Sequence, residues 1–354
     1  MIDAGRIKRV LVIKPSSLGD IIHLFPALAE LHRRLPGAEL DFLVAPAFAD
    51  ILDYSPWPVA ETILFERKKL GAFRTMVPEF LRLVRNLRRR RYNLILDFQG
   101  LTRSALFAFL AKGGPVVGFA APREKLARGF YRFSYPVPPG HAIERYVNLV
   151  GALFHDPCAV ELPELPEHPA YFASLVEKCG PLPEHMAVLI PGARWASKQF
   201  PPELFARVSE ALHRRRPELH FVVSGTAGER EAEEKVAAAL PADFPLLRLS
   251  GKTTLGEMME LLRRADVVIS NDSGPIHAAA ALRRPVFGFF GPTDPERTGP
   301  YSPESRTFQR DLPCIRCLKR ICPADSACHA LDPERIAEEI STRLETRKGT
   351  RKSC

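Results

Sequence analysis

Three things are missing from this sequence of 354 residues, and each absence removes a class of function. No run approaches the roughly 18–20 consecutive apolar residues that a membrane-spanning helix needs. No G-x-G-x-x-G turn is present, so the close backbone approach to a dinucleotide pyrophosphate that nicotinamide oxidoreductases rely on is lacking. The first candidate turn, Pro15-Ser16-Ser17-Leu18-Gly19-Asp20, holds one glycine. A complete phosphate-binding P-loop is missing as well. Ser250-Gly251-Lys252-Thr253-Thr254 resembles the end of one, but Leu246 stands where the earlier glycine is required. That stretch reads as a turn followed by a helix, Leu255 to Arg264, capped by Thr253 or Thr254. At the N-terminus, Arg6, Lys8 and Arg9 lead into an apolar strand of about six residues, too short for a secretory signal core. A cytosolic protein is expected.

What is there suits a soluble globular chain: 46% of residues are hydrophobic and 26% charged. The length exceeds what one core usually supports, so two domains are expected. The net charge of +9 is unevenly shared. Residues 1–165 carry 23 Lys and Arg against 16 Asp and Glu, an excess of seven. Residues 166–354 carry 27 against 25, an excess of two. The first half therefore suits an acidic partner (nucleic acid, anionic lipid or a phosphorylated sugar), or else carries a merely solvated basic surface.

The most informative stretch runs from Ala265 to Gly299. An apolar run, Val267 to Ile269, stops at Ser270-Asn271-Asp272-Ser273-Gly274. A small-residue helix follows, Pro275 to Leu282, then a second apolar run, Pro285 to Phe290, and a Gly-Pro-Thr-Asp turn. Strand, polar turn, helix, strand and turn make a βαβ unit, whose strand ends form a ligand crevice and whose helix start favours an anion. The same alternation recurs along the chain. Arg9 to Lys14 is a buried-type strand, a helix is expected from about Asp20 to Arg34, and Leu40 to Val44 is a second strand. Asp20 opens that helix, either as an ordinary helix-start residue or as a carboxylate placed for general-base work. Phe80 to Arg91 has an apolar stripe, Phe80, Val84 and Leu87, with six arginines largely off it. Those arginines form a solvated helix face or a surface for anionic headgroups. The strand Asn93 to Phe98 ends at Gln99-Gly100. Arg123, Lys125 and Arg145 lie in expected loops or helix starts, where each is a surface cation or a contact to an anionic acceptor. The proline-rich stretch from Pro157 to Pro183 marks the domain boundary. Beyond it, Met186 to Ile190 and Phe221 to Ser224 restart the pattern, so two Rossmann-like domains are expected.

Cys314, Cys317, Cys322 and Cys328 form C-x-x-C-x4-C-x5-C, with His329 alongside. The spacing is open to a structural zinc site, to reduced thiols or to redox pairing, and matches no standard zinc finger. Cys158, Cys179 and Cys354 have no partner by spacing.

Taken together, SSLGDIIHLFPAL (Ser16 to Leu28), DFQG (Asp97 to Gly100), PGARWASKQFP (Pro191 to Pro201), NDSGPIHAAAAL and FGPTDP resemble glycosyltransferase family 9, the ADP-heptose:lipopolysaccharide heptosyltransferases. The similarity runs over nearly the whole chain, and the first motif, DFQG and HAIER are most like heptosyltransferase I. The resemblance implies an α/β GT-B fold: two Rossmann-like domains with parallel sheets facing a central cleft. Residues 1–165 would hold the acceptor and residues 166–331 the nucleotide sugar. Residues 332–354 would form a C-terminal helix packing back on the first domain, and a tail.

It implies an inverting transfer that requires no metal, with ADP-heptose as donor and Kdo-lipid A as acceptor. Asp20 matches the base and Lys198 the lysine that contacts the phosphates. Asp272 matches the carboxylate beside the donor sugar, and Ser273, Gly274 and Ile276 offer N–H groups to the diphosphate. His277 fits the motif as a donor contact or a packing residue, and Glu229 matches a carboxylate for ribose hydroxyls. Ala193 and Arg194 stand where relatives often carry threonines, with Arg194 the candidate phosphate contact. Gln99, Arg123, Lys125 and Arg145 are the candidate acceptor contacts, and the four-cysteine cluster is the candidate zinc site. A peripheral position at the cytoplasmic face of the inner membrane, without nucleic acid, completes this expectation. The alternatives are transfer onto the first heptose, as in heptosyltransferase II, and a non-catalytic anionic-lipid-binding protein.

Overall fold

In a computed structural model of the protein, which describes residues 4–323 and 325–351, the chain forms two compact units, Met1–Pro166 and Glu167–Cys354. The first unit is built on six parallel strands: β1 (Arg9–Ile13), β2 (Glu39–Val44), β3 (Val59–Leu64), β4 (Leu94–Asp97), β5 (Val116–Phe119) and β6 (Phe133–Tyr135). Their spatial order is β3-β2-β1-β4-β5-β6. Val10, Leu11, Val12 and Ile13 are fully buried, which is why β1 reads as a continuous apolar run: helices cover both faces of a parallel sheet. The order reverses between β1 and β4, so the loops leaving these two strands are neighbours at the sheet's carboxyl edge, where such folds bind ligands.

The second unit repeats the plan with β7 (Met186–Ile190), β8 (His220–Val223), β9 (Leu246–Arg248), β10 (Val267–Asn271), β11 (Val286–Phe289) and β12 (Ser305–Phe308). Their order is β12-β11-β10-β7-β8-β9, again parallel, with the reversal between β7 and β10. Two such sheets give the expected α/β, GT-B-like class. No helix among the described residues is long and apolar enough to cross a membrane.

Three local features sharpen or correct the sequence reading. The helix expected from Asp20 to Arg34 is two helices, Leu18–Ile22 and Phe25–Arg34. Pro26 has no N–H for the carbonyl of Ile22, and its ring would crowd that carbonyl, so the helical hydrogen-bond ladder breaks there. Thr254 is the residue that caps Leu255–Arg264, its hydroxyl accepting from the Glu257 N–H while Glu257 accepts from the Thr254 N–H. The last helix, Pro333–Arg351, completes the core of the second unit. Its stripe of Ile336, Ala337, Ile340 and Leu344 is buried in the core formed by β7, β8, β10, β11 and the helix Pro202–Arg215. Arg215 and Arg216 add ion pairs to Glu334 at 2.9 Å and Glu345 at 3.3 Å. Residues 352–354 of the expected tail, Cys354 included, lie outside the described residues.

Candidate active site

In the first unit, four elements meet at one buried ammonium. Lys14, just beyond β1, donates to the carbonyl of Phe98 after β4 at 3.1 Å and to the hydroxyl of Tyr146 on the helix Ala142–Phe154 at 2.8 Å. Its Nζ lies 3.8 Å from Oδ1 of Asp20 on the helix Leu18–Ile22. Lysine is almost never fully buried unless paired, and Lys14 is 3% exposed. Burial opposes its charged form, but Tyr146, Asp20 and Asp97 outweigh it and hold the ammonium above its ordinary range.

Asp20 makes the helix-start contacts that its position suggests. It is the third residue of its helix, and Oδ2 accepts from the Ser17 N–H at 3.0 Å and the Ser17 hydroxyl at 2.8 Å. Its side chain nevertheless remains 39% exposed, so the capped carboxylate is still open to a reactant. His23, from the same motif, packs edge to face on His141 with ring centroids 5.1 Å apart. This contact joins SSLGDIIH to HAIER, which lie far apart in sequence.

The DFQG turn is held by Asp97, a buried carboxylate accepting from the N–H groups of Gln99 and Gly100, the Ser104 hydroxyl and the Tyr131 hydroxyl at 2.8–3.2 Å. Burial pushes its carboxyl up, against the pull of those donors. Gly100 has φ +68°, and a Cβ there would sit 3.1 Å from the Arg123 nitrogen, so glycine is what allows these two loops to close. The Gly100 carbonyl accepts from the Glu124 N–H at 3.0 Å. Gln99 is thus brought beside the segment carrying the exposed Arg123 and Lys125. Its Oε1 is buried with no hydrogen-bond partner among the described residues. Arg145 is half-buried, its guanidinium 5.4 Å from the centre of the Phe119 ring.

The second unit gathers the donor-side candidates. Lys198 closes the turn Ala196–Lys198 after β7, and its Nζ lies 2.6 Å from Oδ2 of Asp272 after β10. Asp272 is buried, and the Thr293 hydroxyl donates to the same oxygen. The Asn271 amide bridges the loops by donating to the Pro191 carbonyl at 2.6 Å. Beside this pair the helix Gly274–Ala281 begins after Ser273 with no side-chain cap, and with Pro275 in its first turn. A helix start of this kind, next to a lysine, suits a diphosphate. Ser273, Gly274 and Ile276 are therefore close to Asp272 in sequence, and His277 is buried in the first turn of the same helix. Glu229 accepts from the Thr226 N–H at 2.6 Å and hydroxyl at 2.9 Å, and lies so close to Gly192 that a Cβ there would meet its carboxylate at 2.0 Å. Glycine at 192 is the residue that admits Glu229 to the loop after β7. Arg194 is exposed on that loop.

The cysteine segment packs against the loop that carries Lys198. Among the described residues no group of three or more His, Cys, Asp or Glu side chains is placed to hold a metal ion. Cys314 and Cys317 are exposed, Cys322 and Cys328 half-buried, and burial with the neighbouring thiols pushes the Cys328 thiol up. What the segment does is brace Lys198. The Ser197 N–H donates to the Arg320 carbonyl at 3.2 Å and the Ser197 hydroxyl to the Lys319 carbonyl at 2.6 Å. The His329 ring stacks on Phe200 at 4.2 Å with Nε2 3.0 Å from the Ser197 carbonyl. Lys14, Tyr146, Thr293 and this brace escaped the sequence reading. Thr293 falls within the FGPTDP turn, but nothing there marks it as the partner of Asp272.

Comparison with known proteins agrees with this geometry. Residues 80–328 match a family model described as glycosyltransferase family 9 (heptosyltransferase). The chain is 33% identical over 345 residues to lipopolysaccharide heptosyltransferase 1 of Pseudomonas aeruginosa, covering 95% of this chain and 94% of that one. Identity to lipopolysaccharide heptosyltransferase 2 of Escherichia coli is 26%, covering 95% and 98%. A solved structure of the E. coli heptosyltransferase WaaC with ADP-2-deoxy-2-fluoro heptose superposes with a TM-score of 0.70 at 25% identity, covering 86% of this chain and 93% of that chain.

Proposed function

Because the chain belongs to glycosyltransferase family 9, the heptosyltransferases, and is a glycosyltransferase, we propose that it transfers heptose from ADP-heptose to the Kdo of the lipid A inner core in lipopolysaccharide biosynthesis. The observation that carries this reading is the Lys198–Asp272 pair, 2.6 Å apart beside an uncapped helix start. It combines a cation and amides for a departing diphosphate with a carboxylate for sugar hydroxyls. Transfer to Kdo, in preference to the first heptose, is supported by the 33% identity to the Pseudomonas aeruginosa heptosyltransferase 1 against 26% to the E. coli heptosyltransferase 2. The excess of basic residues in the first unit suits a polyanionic acceptor.

In this mechanism Asp20 takes the proton of the acceptor hydroxyl as its oxygen attacks the anomeric carbon. The bond from that carbon to the diphosphate oxygen breaks on the opposite face, so configuration inverts and ADP leaves with the bonding electrons. Lys198 and the N–H groups of Ser273, Gly274 and Ile276 take up the developing negative charge, the work a metal ion does in other transferases. Glu229 serves the ribose hydroxyls and Arg194 the phosphates. Gln99, Arg123, Lys125 and Arg145 serve the acceptor. The enzyme works peripherally at the cytoplasmic face of the inner membrane.

Incubation with ADP-heptose and a panel of core acceptors truncated to Kdo or to the first heptose, with products read by mass, tests the reading. One added heptose on the Kdo acceptor is expected, at a rate unchanged by chelator. Transfer only to heptose-ended acceptors would move the chain to the second reaction, and no transfer to either would end the proposal.

Lys14 enters as a positioning residue. A fixed ammonium near a carboxylate favours its ionised form, so Lys14→Met is expected to move the acid limb of the kcat/KM profile to higher pH. Asp97 and Tyr146, the other titratable groups facing Lys14, remain in place. An unchanged acid limb with lowered thermal stability would make Lys14 purely structural.

A further inference from the structure

We infer that the outward face of the helix Met76–Arg89 and the loop before it is a docking surface for an anionic bilayer, the place from which a lipid-borne acceptor is drawn. This deepens the acceptor reading above and rests on it only for its purpose. Among the described residues ten large hydrophobic side chains are exposed, and five of them fall between Leu64 and Leu81. Phe73 is 94% exposed, Val77 57%, Leu81 54% and Met76 45%. Scattered exposed apolar residues are normal, but a cluster of this kind marks an interaction site. The helix has no need of them for folding, because it buries Leu83, Val84 and Leu87 in the core of the first unit.

Charge identifies the occupant. Residues 64–91 hold ten Lys and Arg against two Glu. Both glutamates are already paired, Glu66 with Lys69 at 2.8 Å and Glu79 with Arg82. Arg82, Arg88 and Arg90 are tied down as well, to the Leu64 carbonyl, the Leu110 carbonyl and Asp41. Arg67, Lys68, Arg74, Arg85 and Arg89 remain exposed around the apolar cluster. Along one row of the helix the order is Val77, Leu81, Arg85, Arg89, apolar first and basic after. At about 1.5 Å per residue this sets Arg85 roughly 6 Å beyond Leu81, so the apolar end can enter the acyl boundary while the arginines meet phosphate headgroups. An acidic protein partner would match the charges but leave Phe73 and Val77 unexplained. The loop follows β3 at its carboxyl end, the edge of the sheet that also carries Asp20 and Gln99.

Co-sedimentation with vesicles of phosphatidylglycerol and phosphatidylcholine tests this on the full chain. Binding to the mixed vesicles, weakening at high salt, and little binding to pure phosphatidylcholine are expected. The triple variant Phe73→Ser/Val77→Ser/Leu81→Ser should lower partitioning about tenfold or more, as should Arg85→Glu/Arg89→Glu. Leu318→Ser/Ile321→Ser, which removes exposed apolar residues elsewhere, should leave it unchanged. All these side chains are exposed, so the variants should fold, and transfer to a water-soluble truncated acceptor should stay within about twofold of the parent. Equal vesicle binding by the triple variant and the parent would overturn the inference. So would absence of binding by the parent, or loss of self-association in its place, which would assign the face to a second copy. Vesicle binding without any heptose transfer would sink the functional reading and leave this one standing.

Discussion

Asp20→Asn is expected to lower kcat by about three orders of magnitude while leaving the affinity for ADP unchanged. Asparagine keeps an oxygen for the Ser17 N–H and hydroxyl, contacts of 3.0 and 2.8 Å, so the turn that opens the helix survives. What it cannot do is accept the acceptor's proton. The substitution also leaves the Lys14 ammonium without its nearest carboxylate, 3.8 Å away, so some loss of stability accompanies it. Thermal unfolding separates the two effects, because a folded variant with intact ADP binding and collapsed turnover has lost a reacting group. A variant that turns over within about tenfold of the parent would return Asp20 to a capping role alone.

Lys198→Ala should lower kcat/KM by about two to three orders of magnitude, the cost typical of removing one group that stabilises developing negative charge. Unlike Asp20, Lys198 should also weaken ADP binding, because the diphosphate is present before and after transfer. The single variant carries a complication that can be turned into a control. Asp272 is buried with Lys198 as its counter-ion, and removing the lysine strands a carboxylate out of water. The double variant Lys198→Ala/Asp272→Asn removes that penalty. Stability restored without turnover would mean that the pair acts in the reaction, with Asp272→Asn alone separating the carboxylate's share from the lysine's, whereas recovery of both would reduce the pair to a structural clasp.

The strand ends were legible because buried parallel strands are continuous apolar runs and their polar punctuation falls at the ligand edge. Asp20, Gln99, Lys198 and Asp272 all sit in such punctuation. Lys14 was not legible as a functional group, since its burial depends on Tyr146, 132 residues away, and nothing local distinguishes it from a surface lysine at a strand end. The split at Pro26 was legible in principle, but the apolar period of Ile21, Leu24, Leu28 and Leu31 continues through the break and conceals it. The brace that the cysteine segment gives Ser197 is made by backbone carbonyls and by His329, neither of which cysteine spacing reveals. The arginine-rich helix read as a solvated face or a headgroup surface. The exposed Phe73 and Val77 precede the stripe that was noticed, so their clustering emerged only once burial was known.

The position of the last helix has a consequence for how the chain is made. The first unit has every residue it needs by Pro166 and can close its core while synthesis continues. The second begins its central strand at Met186 but cannot complete its core until Ile336, Ala337, Ile340 and Leu344 have been translated. On a ribosome the half that bears Asp20 therefore matures early, and the half that bears Lys198 waits with an apolar groove on the helix Pro202–Arg215 uncovered. Interruptions of translation between those points would yield a folded first unit attached to an aggregation-prone second one.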